Sequence, residues 1–175
     1  YFVPLNKDIE FWLLKVKNTD SRKRSLRIFT YVEYACNWNV TDDLNNLQYT
    51  QYIADMKVEE GIIDHGTNVN IPEMPEKFEE KDQGRHTFLG VTGAPVTGFD
   101  TDRETFLGPY RTYANPLVVA EGACKNSLAS GGNPCGTLQV DLELAPGEEK
   151  EIAVIMGIGR AEVAGKQMLR VYKNI

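Results

Sequence analysis

Two carboxylate pairs, Asp42 with Asp43 and Asp100 with Asp102, come nearest in type and spacing to doing chemistry. Carboxylates that flank a glycosidic bond can cleave it, one of them acting as acid once its surroundings raise its pKa. Adjacent carboxylates are also ordinary in surface turns, and the turn is the first reading of both pairs. No nucleophile carries a base, because His65 and His86 lack a G-x-S-x-G or comparable setting. Neither histidine has an i, i+4 or Cys-x-x-Cys companion, so no metal site is expected. The stretch "DTDRE" at 100–104 begins as a calcium loop begins, yet the later glycine and glutamate ligands are missing. A structural salt bridge is expected there instead. No catalytic residue is assigned to this chain.

Residues 37–52, "NWNVTDDLNNLQYTQY", suit binding better than catalysis. Sugars are held by aromatic faces against their C–H surfaces and by planar amides and carboxylates on their hydroxyls. Trp38, Asn45, Asn46, Gln48 and Tyr49 supply both kinds. Such a mixture also occurs in loops that cap a β-sandwich.

The elements that must position these residues are mainly strands. In 25–35, Leu26, Ile28, Thr30, Val32 and Tyr34 alternate with Arg27, Phe29, Tyr31 and Glu33, a period of two that sorts them onto two faces. Residues 9–17, "IEFWLLKVK", read as a strand before it, and the polar linker "NTDSRKR" predicts a hairpin. Leu138, Val140, Leu142 and Leu144 mark a half-buried strand, "APGEE" a turn, and "KEIAVIMGIG" a more apolar partner, a second hairpin. Hairpins of this kind predict an antiparallel β-sandwich. Three long irregular segments, 36–50, 64–84 and 93–136, interrupt the strands, and loops of this length are often functional or interface-forming. The end, "AEVAGKQMLRVYKNI", predicts a helix with a short apolar stripe, suited to a linker packing on a neighbouring domain.

Composition excludes several classes. The 175 residues suffice for one domain with a sizeable core. A net charge of -6 argues against nucleic-acid or anionic-membrane partners. No apolar run is long enough to span a bilayer, and the first residues lack the pattern of a signal peptide, so a soluble protein is expected. Cys36, Cys124 and Cys135 predict reduced thiols, with a Cys124–Cys135 bridge as the alternative.

The segments "FVPLNKDIEFWLLKVKNTDSRKRSLRIFTYVEY", "DDLNNLQ", "GFDTDRETFLGPYR", "KNSLASGG" and "LELAPGEEKEIAVIMGIG" carry a family likeness by their order and spacing. Together they resemble the amino-terminal sandwich domain of the inverting β-glycoside phosphorylases, the cellobiose and cellodextrin phosphorylase family, glycoside hydrolase family 94. The resemblance implies a sandwich of the supersandwich type over 1–160 and, over 161–175, the start of a helical linker toward an (α/α)6 catalytic barrel. It implies a cytoplasmic homodimer that phosphorolyses β-linked gluco-oligosaccharides to α-glucose 1-phosphate, with inorganic phosphate as co-substrate and no cofactor. The general acid would lie in the barrel, so this chain alone would be inactive. Asn46, Gln48 and Tyr49 would face the acceptor sugar. In cellobiose phosphorylases an arginine stands where this sequence has Tyr49, which points toward longer, cellodextrin-type acceptors.

The same resemblance frames residues 93–116. Asp100 and Asp102 are expected to pair with Arg103 or Arg111 over Phe99, Phe106 and Tyr110, on a surface facing the barrel or a second subunit, or in a self-contained structural loop. An independent carbohydrate-binding or dimerisation module is the competing reading.

Overall fold

The computed structural model describes residues 1–34, 53–67 and 86–173. Among the described residues nine strands form two antiparallel sheets, as the alternating patterns require. The larger sheet has the order β1 (Ile9–Lys17), β9 (Glu149–Ile158), β6 (Thr87–Thr92), β5 (Ile62–Thr67), β4 (Ala54–Glu59). In the smaller, β8 (Pro134–Leu144) pairs with β2 (Arg24–Phe29) and β3 (Val32–Glu33) and also with β7 (Val96–Asp102). The inner faces meet in one core of Val32, Met56, Ile63, Leu89, Leu138, Val140, Leu142, Ile152 and Val154.

Neither expected hairpin forms. β1 pairs with β9 and β2 with β8, so each linker crosses from one sheet to the other. β8 and β9 are both central strands, and β9 buries Ile152 and Val154 against one layer and Ala153 and Ile155 against another. A strand covered on both faces gains most from two lateral neighbours, and β1 and β6 supply them. The two crossovers run side by side and Asn18 staples them. Its buried amide donates to the carbonyls of Leu144 (3.0 Å), Ala145 (3.1 Å) and Arg22 (2.8 Å), and its main chain exchanges bonds with Glu148 and Gly147.

The strand read over 25–35 keeps one register from Arg24 to Glu33 but is interrupted at Thr30. The Thr30 hydroxyl accepts the Leu138 amide (2.8 Å), the bond that a strand carbonyl would otherwise take.

Each sheet also carries an outer layer. On the smaller sheet lie α1 (Arg103–Leu107) and α2 (Leu117–Glu121), around a minor core of Phe106, Val118 and Cys135. Residues 93–136 are therefore largely ordered, with β7, two helical turns and the start of β8, where an irregular segment was expected. On the larger sheet lie a π-helical turn (Ala161–Gly165) and α3 (Lys166–Val171). The apolar stripe of this terminal region packs on the domain's own sheet, with Ala161, Met168, Leu169 and Tyr172 against Ile9, Phe11, Phe88 and Ile155. Gly90 makes room for it, since a Cβ there would lie 2.6 Å from Leu169 Cδ1. Among the described residues no helix is long and apolar enough to cross a membrane.

Candidate functional site

Asn46, Gln48 and Tyr49 lie outside the described residues, as do Trp38, Asn45, Asp42, Asp43 and Cys36. What the structure describes is how the chain on either side of that segment is held. Both anchorages come from residues 93–136.

Asp100 is fully buried and pairs with no arginine among the described residues. Its carboxylate accepts the Lys125 amide at 3.2 and 3.0 Å, the Ser127 amide at 2.9 Å and the Ser127 hydroxyl at 2.7 Å. A buried carboxylate is tolerable only when its lone pairs are filled, and here backbone donors fill them. Thr101 extends the cradle, bonding Ser127 O through both its amide (3.0 Å) and its hydroxyl (3.1 Å) and accepting the Ala129 amide at 2.8 Å. The cradled loop then reaches the start of β4. Gly131 N–H donates to Ala54 O at 3.2 Å, and Asp55 bridges Ser130.

Among the described residues Asp102 pairs with no arginine either. It caps α1, accepting the Glu104 amide (3.2 Å) and the Thr105 hydroxyl (2.6 Å). The cap aims Arg103 at Glu33, one residue before the last described residue of the preceding strand region. Arg103 Nε lies 3.1 Å from Glu33 Oε1 and donates to Tyr113 Oη at 2.8 Å, with the guanidinium 5.4 Å from the Tyr113 ring centre. Tyr31 donates to Glu33 at 2.7 Å, as Tyr113 also does. Tyr31 in turn stacks on the buried Phe106 at 4.7 Å. Partial burial pushes the Glu33 carboxyl up, and the two tyrosine hydroxyls and Arg103 outweigh it, leaving its pKa below the usual value. Burial and Glu33 together push the Tyr31 hydroxyl well above its ordinary value.

Of the aromatic residues expected to pack beneath this stretch, Phe106 is buried and Phe99 is partly buried against the main core. Tyr110 is the exception. Its ring is fully exposed, and the Arg111 guanidinium donates to Asn115 Oδ1 at 3.4 Å. Sequence reasoning overlooked Glu33, Tyr31 and Ser127. The alternating pattern had already placed Glu33 and Tyr31 on one strand face, which was the available signal.

A second polar cluster joins the larger sheet to its outer layer. Asp64 Oδ1 lies 2.5 Å from His86 Nδ1, and Asp64 Oδ2 accepts the Ala161 amide at 2.6 Å, where the terminal helical region begins. Gly159 N–H donates to His86 O at 2.7 Å. His65 points the opposite way, stacked on Tyr34 at 4.5 Å and 4°. Its ring nitrogens find no partner among the described residues, and burial lowers its pKa to about 4, so it is neutral. Cys124 and Cys135 are free thiols, and burial pushes Cys135 up to about 12 and Cys124 higher still. Neither is poised as a nucleophile. Among the described residues no group of three or more acidic, histidine or cysteine side chains could hold a metal.

All 175 residues match the profile of the glycosyl hydrolase 94 supersandwich domain. The chain belongs to this family. It is 32% identical over 99% of its length to an N,N'-diacetylchitobiose phosphorylase of Vibrio proteolyticus and 30% identical over 99% to that of Vibrio furnissii. A solabiose phosphorylase of Paenibacillus borealis is 27% identical over 97%. The chain spans about a fifth of the length of these curated relatives. In these relatives the matching region is one part of a longer phosphorylase.

Proposed function

We propose that this supersandwich domain serves a glycoside phosphorylase that reversibly cleaves β-linked gluco-oligosaccharides, cellodextrin or cellobiose, with inversion. The observation that carries this reading is the family match over the whole chain, together with relatives whose names are all phosphorylases. A phosphate oxygen attacks the anomeric carbon as the glycosidic C–O bond breaks, and an aspartic acid of the barrel protonates the departing oxygen. The products are α-glucose 1-phosphate and a chain shorter by one sugar.

The domain's part is positional. Asn46, Gln48 and Tyr49 face the acceptor sugar, and the chain on either side of them is fixed by Arg103 at Glu33 and by the Asp100 cradle at Ala54. Tyr49, standing where cellobiose phosphorylases have an arginine, favours longer acceptors. The whole protein works as a cytoplasmic homodimer, with phosphate as co-substrate and no cofactor, and the isolated chain is inactive.

A second reading, an N-acetylated disaccharide substrate, is favoured by the two relatives named for N,N'-diacetylchitobiose. Phosphate release by the full-length protein separates the two. Turnover of glucose 1-phosphate with cellobiose, and little with glucose, supports the cellodextrin reading. Turnover only of N-acetylglucosamine 1-phosphate with N-acetylglucosamine overturns it in favour of the second.

A further inference from the structure

We infer that Tyr34 is a positioning residue for acceptor binding, braced by His65: their stacked rings fix, from inside the core, the direction in which the chain enters 35–52. The inference rests on the phosphorylase reading above, which puts the acceptor contacts of Asn46, Gln48 and Tyr49 in that segment.

The pair joins the two sheets. Val32 faces the core and Glu33 faces out, so the Tyr34 side chain returns to the core that Val32 occupies. His65 stands on β5 of the opposite sheet, across the ladder from the core residue Met56, and is fully buried. The two rings lie 4.5 Å apart and within 4° of parallel. Gly136 of β8 makes the room for the phenol, because a Cβ there would overlap the Tyr34 hydroxyl.

Hydrogen bonds and charge do not account for the pair. Tyr34 Oη and both ring nitrogens of His65 have no partner among the described residues, and a buried polar group left so costs stability. Both rings are neutral, since burial lowers the imidazole pKa to about 4 and raises that of the phenol. What the pair supplies is the stack. Two flat rings in contact fix each other's plane, which aliphatic side chains in the same space do not.

The stack completes a clamp on two faces. Glu33 is held on the outside by Arg103, Tyr31 and Tyr113, and Tyr34 on the inside by His65. A strand end held through one side chain can pivot about it. Held through two successive side chains that point to opposite faces, it has one direction. Binding groups are aimed well only when the shell behind them is locked by packing, and the inner hold is packed against the main core while the outer one is part-exposed.

The test measures acceptor KM, donor KM and kcat of the full-length protein, with cellobiose and glucose 1-phosphate, or with N-acetylglucosamine and its 1-phosphate where those are the sugars turned over. His65→Leu and Tyr34→Leu keep the core apolar and lose the stack. An acceptor KM raised about tenfold is expected, with kcat and donor KM within about twofold of the parent. His65→Phe keeps a ring and should keep the parental acceptor KM. An unchanged acceptor KM in both leucine variants, or kcat and both KM values moving together, overturns the inference. Should a leucine variant fail to fold, Gly136→Ala asks the same question. Its methyl group overlaps the Tyr34 hydroxyl and should raise the acceptor KM, and adding Tyr34→Phe should bring it back, whereas no recovery counts against the brace. Turnover of no acceptor sinks the function and leaves the brace to amide exchange at 32–34. Faster exchange there in His65→Leu than in His65→Phe supports it, and equal rates overturn it.

Discussion

The sandwich carries two outer layers, and they are held in opposite ways. On the smaller sheet, α1, α2 and the loop after them rest on a minor core but owe their course to polar groups: the Asp100 cradle, the Asp102 cap and the Arg103–Glu33–Tyr113 cluster. On the larger sheet, the π-helical turn and α3 rest on a continuous apolar patch that Gly90 lets them approach closely, with Asp64 as the polar tie. Each layer also bonds the ends of one long segment. The first grips Glu33 and Ala54, on either side of 35–52, and the second grips Asp64 and His86, on either side of 68–85. An apolar layer is fixed by area and tolerates small shifts, whereas a polar one is fixed by direction and aims what it holds. The segment proposed to meet the sugar is served by the directional layer.

The comparison is broken most severely at Asp100. Asp100→Ala strips acceptors from the Lys125 and Ser127 amides inside the protein, and a loss of about 3–4 kcal/mol is expected in denaturant unfolding. His65 comes next, through pH. Its folded pKa of about 4 lies below the ordinary 6.5, so between these values the unfolded chain binds the proton more readily. Stability is full above pH 6.5 and falls by about 3 kcal/mol as pH drops to 4. His65→Phe should flatten that part of a stability–pH profile.

Gly90→Ala probes the apolar layer. The new methyl group meets the flexible end of Leu169, so α3 adjusts, and about 1–2 kcal/mol of stability is lost. Combining it with Leu169→Ala should cost less than the two changes summed, which a double-mutant cycle reads directly. The smallest effect is expected at Arg103. Its ion pair with Glu33 is part-exposed, with side chains 34% and 49% accessible, so Arg103→Ala costs under about 1 kcal/mol globally. Amide exchange at Glu33 and Tyr34 should nevertheless quicken.

The strands were legible because alternation is a local property. Residues 9–17 form β1 within the bounds read from sequence, and Leu138, Val140 and Leu142 face the core as their spacing required, with Leu144 buried beyond them. Pairing was not legible. "NTDSRKR" and "APGEE" read as hairpin turns, and what makes them crossovers is Asn18, which bonds Leu144 across 126 positions. The family and its sandwich followed from ordered motifs, and the profile match agrees. The polar site was half visible. Asp100, Asp102 and Arg103 were singled out, but their partners were sought among nearby arginines, while the partner of Asp100 is Ser127, 27 positions on, and that of Arg103 is Glu33, 70 positions back. Charge pairing along a sequence cannot anticipate a carboxylate filled by backbone amides from a distant loop.

Hydrogen exchange on the parent, Asp100→Ala and Gly90→Ala tests the central claim most directly. If the polar layer holds the chain around 35–52, Asp100→Ala should abolish protection at residues 54–56, the side its cradle anchors, while Gly90→Ala leaves it intact and loosens 161–171 instead. Equal loss of protection at 54–56 in both variants, or in neither, would contradict the division of labour between the two layers.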